Sequence, residues 1–257
     1  AGGRISEEQA QRHTHLFITG VVGSIDNDMV GTDKTVGADS ALHRIIEAVD
    51  ALSSTAASHQ RSFVVEVMGR HCGYLALMSA IAGGADYVII PELCPGPGWE
   101  DEMLDRLRAG RAAGRRDNLV LVAEGATDRE GNPITSQDVA KVMTERLGED
   151  TRVTILGHVQ RGGSPSAYDR WMPTLMGHAA ALEVLAAQPG HVAQLIGVKG
   201  NRVQKTPLVE AVAKTRAIPG IIQAGEYEAA MAARGSSFTE MVRVFNGIAK
   251  PQPQFAG

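Results

Sequence analysis

The sequence predicts an α/β protein with mainly parallel sheets that carry helices on both faces. Short apolar runs rich in valine and isoleucine recur along the chain and are typical of buried strands. Helical patterns lie between most of these runs, and strands that alternate with helices form parallel sheets covered on both sides. The six runs, in chain order, are residues 16–22, 63–68, 87–90, 119–123, 153–156 and 195–198.

The clearest helical pattern covers residues 40–52. Apolar side chains recur there at the three- and four-residue spacing that places them on one face of a helix. The members of this stripe are Ala41, Leu42, Ile45, Ile46, Val49 and Leu52. One apolar face predicts a helix that packs against a sheet, as the fold class requires.

The composition fits a protein that folds around its own core and recognises anions only locally. The 257 residues are 44% hydrophobic and carry a formal net charge of -4. Such a chain has no global basic field for nucleic acid or for an acidic membrane surface. No apolar stretch approaches the roughly 20 residues that span a bilayer. Cys72 and Cys94 are too few for a disulfide framework. We therefore expect a cytoplasmic protein with neither a nucleic-acid nor a membrane partner.

The end of the chain differs in composition from the rest. Residues 250–257 contain two prolines and little apolar content, which is typical of a linker or a frayed tail. We expect residues 1–249 to form the folded part, arranged as two intertwined α/β lobes.

Polar residues follow four of the predicted strands directly. In parallel sheets, ligands bind outside the carboxyl ends of the strands. This rule selects residues 23–28, 69–71, 124–125 and 157–163 as candidates for one site.

The first candidate segment is rich in carboxylates. Asp26 and Asp28 follow the first predicted strand, and Asp33 comes soon after. One such carboxylate can accept a proton from a substrate hydroxyl, and a second can help to hold a hydrated magnesium ion. An Asx-rich turn that caps the helix beginning near residue 39 explains the same residues equally well. Spacing alone leaves both interpretations open.

The other candidate segments carry cations. Arg70 follows the second strand, where it could neutralise charge on a transferring phosphoryl group or pair with a surface carboxylate. His158, Arg161 and a glycine turn can converge on a phosphate, although a purely structural turn has the same composition. Arg61 and Arg152 precede strands, at the opposite ends from these loops. They are either solvated charges or residues that serve a neighbouring subunit.

No glycine-rich phosphate loop of the usual kinds is present at a strand-to-helix turn. The sequence contains neither G-x-x-x-x-G-K-S/T nor G-x-G-x-x-G at such a place. The residues thus indicate an anionic-substrate site with carboxylates nearby, and they do not indicate where a nucleotide would bind.

Five blocks, taken together in order and spacing, resemble the phosphofructokinase family. They are Gly23-Ser24-Ile25-Asp26-Asn27-Asp28, Ser58-His59-Gln60-Arg61, Glu66-Val67-Met68-Gly69-Arg70, Ala82-Gly83-Gly84-Ala85-Asp86 and Gly157-His158-Val159-Gln160-Arg161-Gly162-Gly163. The resemblance runs from about His13 to about Phe245 and is closest to the N-terminal, catalytic half of the long eukaryotic chains. It implies transfer of the ATP γ-phosphoryl group to the 1-hydroxyl of fructose 6-phosphate, with Mg²⁺, in a homo- or hetero-oligomer.

The resemblance also implies roles for single residues. Asp26 resembles the general base that takes the proton from the sugar hydroxyl, and Asp28 resembles the carboxylate near the magnesium ion. Arg70 resembles the residue that steadies the transferring phosphoryl group. Arg61 and Arg152 resemble the pair that is lent across an interface to the 6-phosphate. The remaining residues implied to bind the sugar phosphate are Ser24, Ile25, Met68, Gly69, Glu124, His158, Val159, Gln160 and Arg161.

Two features separate this sequence from the family pattern. Residue 24 is serine where shorter bacterial relatives usually have threonine, a change that keeps the hydroxyl. The family's first strand, its glycine-rich phosphate loop and a Gly-Gly-Asp that binds nucleotide and magnesium would precede Ala1. We therefore expect the 257 residues by themselves to be incomplete for catalysis.

Three other functions remain as alternatives. A pyrophosphate-dependent relative tends to carry lysine where this chain has Gly23, which argues against that branch. A non-catalytic regulatory half that binds a sugar bisphosphate loses the acid corresponding to Asp26, so Asp26 favours catalysis. The site-loop residues argue against a purely structural module. Sequence alone does not give the effectors or the oligomer size.

Overall fold

The computed structural model describes residues 7–59 and 61–249. The predicted tail, residues 250–257, and Gln60 of the second family block lie outside the described residues. Within the described ranges, nine strands run in chain order: β1 Thr19–Val21, β2 Gly23–Ser24, β3 Val36–Gly37, β4 Ser62–Val67, β5 Tyr87–Ile89, β6 Leu119–Ala123, β7 Thr151–Ile155, β8 Gln194–Lys199 and β9 Arg202–Pro207.

Nine α-helices are present in the same described ranges. They are α1 Glu7–Gln11, α2 Ala38–His59, α3 Tyr74–Gly83, α4 Trp99–Ala112, α5 Ser136–Leu147, α6 Tyr168–Ala186, α7 Leu208–Gln223, α8 Tyr227–Arg234 and α9 Ser236–Ile248. Two short 3₁₀ turns, Pro91–Leu93 and Gly157–Arg161, complete the elements. No helix in the described part of the chain is both long and apolar enough to cross a membrane.

A four-stranded parallel sheet with the order β5-β6-β4-β7 forms the centre of the fold. Its central strands β4 and β6 are buried at nearly every position. Both faces are covered, because Val65 and Val67 pack in the core with α2 and α3, whereas Val64 packs with α4 and α5. This arrangement confirms the predicted α/β class and explains why the two central strands are mostly apolar.

A second sheet has the order β1-β8-β9 and its own core. β1 pairs with β8 in parallel, whereas β8 and β9 form an antiparallel hairpin. The sequence analysis missed β9, because its residues are mostly polar and its burial is partial. The two hairpin residues, Gly200 and Asn201, both have positive φ (54° and 60°). Such two-residue turns match the twist of the strands that they join.

The predicted boundaries shifted at several elements, most clearly at the first strand and the helix that follows it. The first strand covers Thr19–Val21 instead of residues 16–22, and Leu16 and Ile18 are exposed. The helix predicted for residues 40–52 extends over Ala38–His59. β1 comes from the start of the chain and β8 from near its end, with the four-stranded sheet between them in sequence. The division into two intertwined lobes stays a prediction.

Candidate active site

Asp26 lies in the turn between β2 and β3 and is almost fully buried. These two short strands pair in parallel, so the chain must loop out and return between them. The Asp26 side chain is 9% exposed. Its Oδ1 has no hydrogen-bond partner among the described residues. A buried carboxylate oxygen without a partner is expensive to maintain, which points to a functional role.

The conformation of this turn depends on Asn27, which the sequence analysis did not single out. Asn27 has a left-handed backbone with φ of 52°, a conformation that asparagine tolerates better than most residues. Its Oδ1 accepts a hydrogen bond from the Thr35 amide at 2.7 Å, and its Nδ2 donates to the Asp33 carbonyl at 3.2 Å. These two hydrogen bonds connect the two sides of the loop that carries Asp26.

The amides at the start of α2 are bound from another helix. Asp169 of α6 accepts hydrogen bonds from the Gly37 and Ser40 amides, each at 2.8 Å. The alternative in which the Asp26 turn caps this helix is therefore unnecessary, because Asp169 already fills that role. Nothing in the sequence indicated this contact, which joins residues about 130 positions apart.

Arg70 lies in a sharp turn at the carboxyl end of β4. Arg70 has φ of 51°, and Gly69 before it has φ of 142°. A Cβ atom on Gly69 would lie 2.3 Å from the Cys72 carbonyl oxygen, so only glycine fits there. Gly125 approaches the same turn, since a Cβ on it would lie 2.6 Å from the Arg70 carbonyl oxygen. Backbone strain of this kind clusters at functional sites.

Glu124 holds the Arg70 turn in place. It directly follows β6, and its Oε1 accepts a hydrogen bond from the Arg70 amide at 3.0 Å. The Arg70 side chain is 70% exposed, and its Nε lies 3.9 Å from Asp26 Oδ2. The predicted loops after three strands thus meet at one edge of the structure.

Several charges act on Asp26. Burial is the largest influence and raises the pKa of Asp26 above its ordinary value, and the carboxylates of Asp28 and Glu124 add to the increase. Arg70 and Arg161 oppose it. The net effect makes Asp26 a stronger base than an ordinary aspartate once it is deprotonated.

The 157–163 segment also lies at the carboxyl end of β4, and its residues differ in exposure. His158, Val159 and Arg161 are exposed on the 3₁₀ turn, whereas Gln160 is buried. Gln160 Oε1 accepts a hydrogen bond from the Met68 amide at 3.1 Å, and its Nε2 donates to the Gly157 carbonyl at 3.0 Å. Gln160 therefore braces this turn against the end of β4.

Asp28 is the carboxylate of this turn that could help to hold a magnesium ion, and its charge acts on Asp26 two residues before it. The described residues contain no cluster of three histidine, cysteine, aspartate or glutamate side chains able to hold a metal ion. Magnesium in phosphoryl-transfer sites commonly uses one or two carboxylates together with substrate phosphates and water. The carboxylate of Asp28 fits such an ion.

Arg61 and Arg152 lie at the opposite end of the central sheet. Arg61 immediately precedes β4, and Arg152 is the second residue of β7, slightly later than the sequence analysis placed it. Both side chains bind the exposed Asp150, with an Arg61 Nε to Oδ2 distance of 2.8 Å and an Arg152 Nη2 to Oδ1 distance of 3.0 Å. The length of β4 separates them from Arg70 by roughly 20 Å.

Comparison with known proteins identifies relatives of this chain. The family model described as PFK, Phosphofructokinase, matches residues 1–184. ATP-dependent 6-phosphofructokinase, liver type, from Homo sapiens is 49% identical over 253 residues, which cover 98% of this chain and 32% of that protein. The muscle type from Homo sapiens is 48% identical over 251 residues, with the same coverage. This chain thus spans about a third of the length of these relatives.

Solved structures agree with the sequence relatives. The structure of phosphofructokinase from Saccharomyces cerevisiae superimposes with a TM-score of 0.89 at 49% identity, covering 96% of this chain and 32% of that one. A pyrophosphate-dependent phosphofructokinase from Marinobacter aquaeolei gives a TM-score of 0.62 at 23% identity, covering 76% of this chain and 52% of that one, and shares the fold. The family match over residues 1–184 and the turns around Asp26 and Arg70 lead to one conclusion: this chain belongs to the phosphofructokinase family.

Proposed function

We propose that this chain is the sugar-phosphate-binding and catalytic part of an ATP-dependent 6-phosphofructokinase. The reaction is transfer of the γ-phosphoryl group of ATP to the 1-hydroxyl of fructose 6-phosphate. The observation that carries the proposal is the buried, partly unpartnered carboxylate of Asp26 beside the exposed guanidinium of Arg70. The named relatives are ATP-dependent enzymes at about half identity, which supports ATP over pyrophosphate as the donor.

Asp26 acts as the general base in this mechanism. Its Oδ1 is free to accept the proton of the 1-hydroxyl as that oxygen attacks phosphorus, and its raised pKa makes proton acceptance more favourable. Arg70 places its guanidinium beside Asp26, where it stabilises negative charge on the transferring group. Glu124 fixes the turn from which Arg70 extends.

Asp28, with Asp26 next to it, is the carboxylate that we assign to Mg²⁺. A magnesium ion bound with ATP supplies neutralisation of the phosphate charge. The chain's own contribution is to hold the two carboxylates on one short turn, which Asn27 closes.

The sugar is bound by residues on four segments of the site. Ser24 and Ile25 share the turn with Asp26, and Met68 and Gly69 line the end of β4. Glu124, His158, Val159 and Arg161 complete the set that we propose to contact the sugar phosphate. Gln160 supports binding indirectly, because its amide is used to join Met68 to the 3₁₀ turn.

Arg61 and Arg152 are proposed to bind the 6-phosphate of a neighbouring site in an oligomer. Their location at the far end of β4 supports this, since they cannot reach the Asp26 site of the same chain. We further propose a cytoplasmic location, because Cys72 and Cys94 are both free thiols buried in the fold.

The test replaces Asp26 with serine in the full encoded protein. We expect kcat to fall by about 10²- to 10⁴-fold, the usual contribution of a positioned base, with KM for fructose 6-phosphate within a few-fold of the starting value. Asp50→Ser, on the exposed face of α2, is the matched control and should keep full activity. Each variant is assayed with ATP and with pyrophosphate.

Three results would count against the proposal. An unchanged kcat in Asp26→Ser would show that Asp26 is not the general base. Turnover with pyrophosphate and none with ATP would identify pyrophosphate as the phosphoryl donor. Binding of a sugar bisphosphate without turnover by the unmodified protein would identify a regulatory half instead.

A further inference from the structure

Arg234, in the last turn of α8, forms a deeply buried ion pair with Glu92. Arg234 Nε lies 2.8 Å from Glu92 Oε1, and the two side chains are 5% and 0% exposed. Burying two charges is costly even when they are paired, and apolar residues of similar size often serve stability equally well. Stability alone therefore does not explain why the fold keeps this pair.

The two remaining arms of the Arg234 guanidinium reach backbone atoms of the active site. Nη1 donates a hydrogen bond to the Asp28 carbonyl at 2.8 Å, and Nη2 donates to the His71 carbonyl at 2.6 Å. On the other side, Glu92 Oε2 accepts a hydrogen bond from the Gly73 amide at 2.8 Å. One buried pair thus connects α8, the 91–93 turn and both turns that carry the proposed catalytic residues.

The contact points lie next to the groups that must be aligned. Asp28 is two residues after Asp26, and His71 immediately follows Arg70. The direct contact between the Asp26 and Arg70 side chains is loose, at 3.9 Å, and the Arg70 side chain is mostly exposed. These side chains do not hold the two turns together tightly. A planar guanidinium that bonds to both turns sets their separation rigidly, because its nitrogens lie in a fixed fork.

We propose that Arg234 and Glu92 form a positioning pair that fixes the distance between Asp26 and the Arg70 turn. Neither residue touches the reacting atoms, so both act through backbone. Glu92 orients the guanidinium and holds Gly73, while Arg234 joins the two turns. The inference rests on the proposed function for its kinetic consequence, but the contacts themselves can be tested without turnover.

The experiment uses four variants of the full encoded protein. Arg234→Met removes all three bonds, and Arg234→Lys keeps the charge without the fork. The double variant Arg234→Met with Glu92→Met removes the unpaired buried charge that the single variant leaves behind. The matched control is Arg243→Met on α9, because Arg243 is exposed and pairs with the exposed Glu240.

Steady-state kinetics provide the first readout. We expect kcat to fall at least tenfold in both Arg234 single variants, with KM for fructose 6-phosphate changed less than threefold. The double variant should regain thermal stability relative to Arg234→Met, whereas its kcat should stay low. If kcat returns together with stability, or if Arg234→Lys keeps full kcat, the pair has a structural role only and the proposal is wrong.

Hydrogen exchange measured by mass spectrometry provides the second readout and needs no activity. Peptides that cover residues 23–35 and 68–74 should exchange faster in Arg234→Met and in the double variant than in the Arg243→Met control. Peptides from β7 should be unchanged. Unchanged exchange in both turns would overturn the proposal even if the protein proves to have another activity. Suppose that both turns exchange faster in the variants but the unmodified protein shows no ATP-dependent turnover. Arg234 and Glu92 would then still position the two turns, and only the proposed function would be wrong.

Discussion

The two ends of β4 carry cations in different surroundings. At the carboxyl end, Arg70 is approached by Asp26 and its amide is held by Glu124, so residues from three loops of this chain meet. At the amino end, Arg61 and Arg152 share one exposed carboxylate, Asp150. The hydrogen bond from Arg61 is the main reason that the pKa of Asp150 is lowered, and Arg152 adds to this effect.

The carboxyl end is thus a site formed by loops of this chain alone. The amino end is a surface on which the arginines have more hydrogen-bond donors than their one carboxylate partner can use. At the carboxyl end, strained turns and buried polar atoms hold the geometry, and the chain supplies both charge signs. At the amino end, five guanidinium donors on each of two arginines face a single carboxylate. We therefore expect substitutions at the carboxyl end to change kcat and substitutions at the amino end to change substrate affinity.

Among the three arginines at the two ends of β4, Arg70 should give the largest effect. Arg70→Gln should lower kcat by about 10²- to 10³-fold, as removal of a single donor to a developing negative charge commonly does. Arg70→Lys, which keeps the charge, should retain more of kcat than the glutamine variant. Steady-state kinetics at saturating fructose 6-phosphate and ATP measure both. Equal activity in all three proteins would mean that the Arg70 guanidinium is an ordinary surface charge.

Arg152 should show the opposite kinetic signature. Loss of a charged hydrogen bond to the 6-phosphate corresponds to about 1.5–3 kcal/mol, or about 10- to 100-fold, and we expect it in KM for fructose 6-phosphate. Arg152→Ala should leave kcat within a few-fold, and Arg216→Ala, on the exposed face of α7, is the control. The prediction fails if the KM of Arg152→Ala matches that of the control.

A smaller effect concerns stability at the Asp26 end. Burial raises the pKa of Asp26, so the folded protein binds this proton more tightly than the unfolded chain does. At neutral pH, the ionised carboxylate therefore opposes folding, and the opposition is relieved as pH falls through the folded-state pKa. Asp26→Asn should raise the free energy of unfolding at pH 7 by about 0.5–2 kcal/mol. Denaturant titrations at pH 7 and below pH 4 test this, and the gain should shrink at the lower pH.

Much of the fold could be predicted from the sequence because its central strands are buried on both faces. For this reason β6 is an uninterrupted apolar run and β4 is broken only by Ser62 and Glu66, and the polar residues after both strands are easily recognised as loop residues. β9 could not be found in this way, since each of its residues is exposed or only partly buried and most of them are polar. The Gly200-Asn201 turn was the available signal.

The candidate active site could be predicted to a similar extent. Residues that stand directly after strands, such as Asp26, Arg70 and Glu124, were identified by position, and the structure brings these three together. The family resemblance implies a substrate role for Gln160, which stays a prediction, and the structure shows its buried amide bonded to the Met68 amide at the end of β4. Arg234 lies more than 160 residues from His71 in sequence, and no local pattern indicates their contact. Supporting contacts of this kind depend on tertiary packing.

Subunit complementation tests most directly whether the two ends of β4 serve different sites. Proteins carrying Asp26→Ser are mixed with proteins carrying Arg152→Ala under conditions in which subunit exchange is demonstrated independently. At fructose 6-phosphate concentrations well below the KM of Arg152→Ala, we predict that the hybrids exceed the summed activity of the two parents, because some sites then combine an intact Asp26 with an intact Arg152 from a neighbour. Hybrids that never exceed that sum, despite proven exchange, would contradict the shared site.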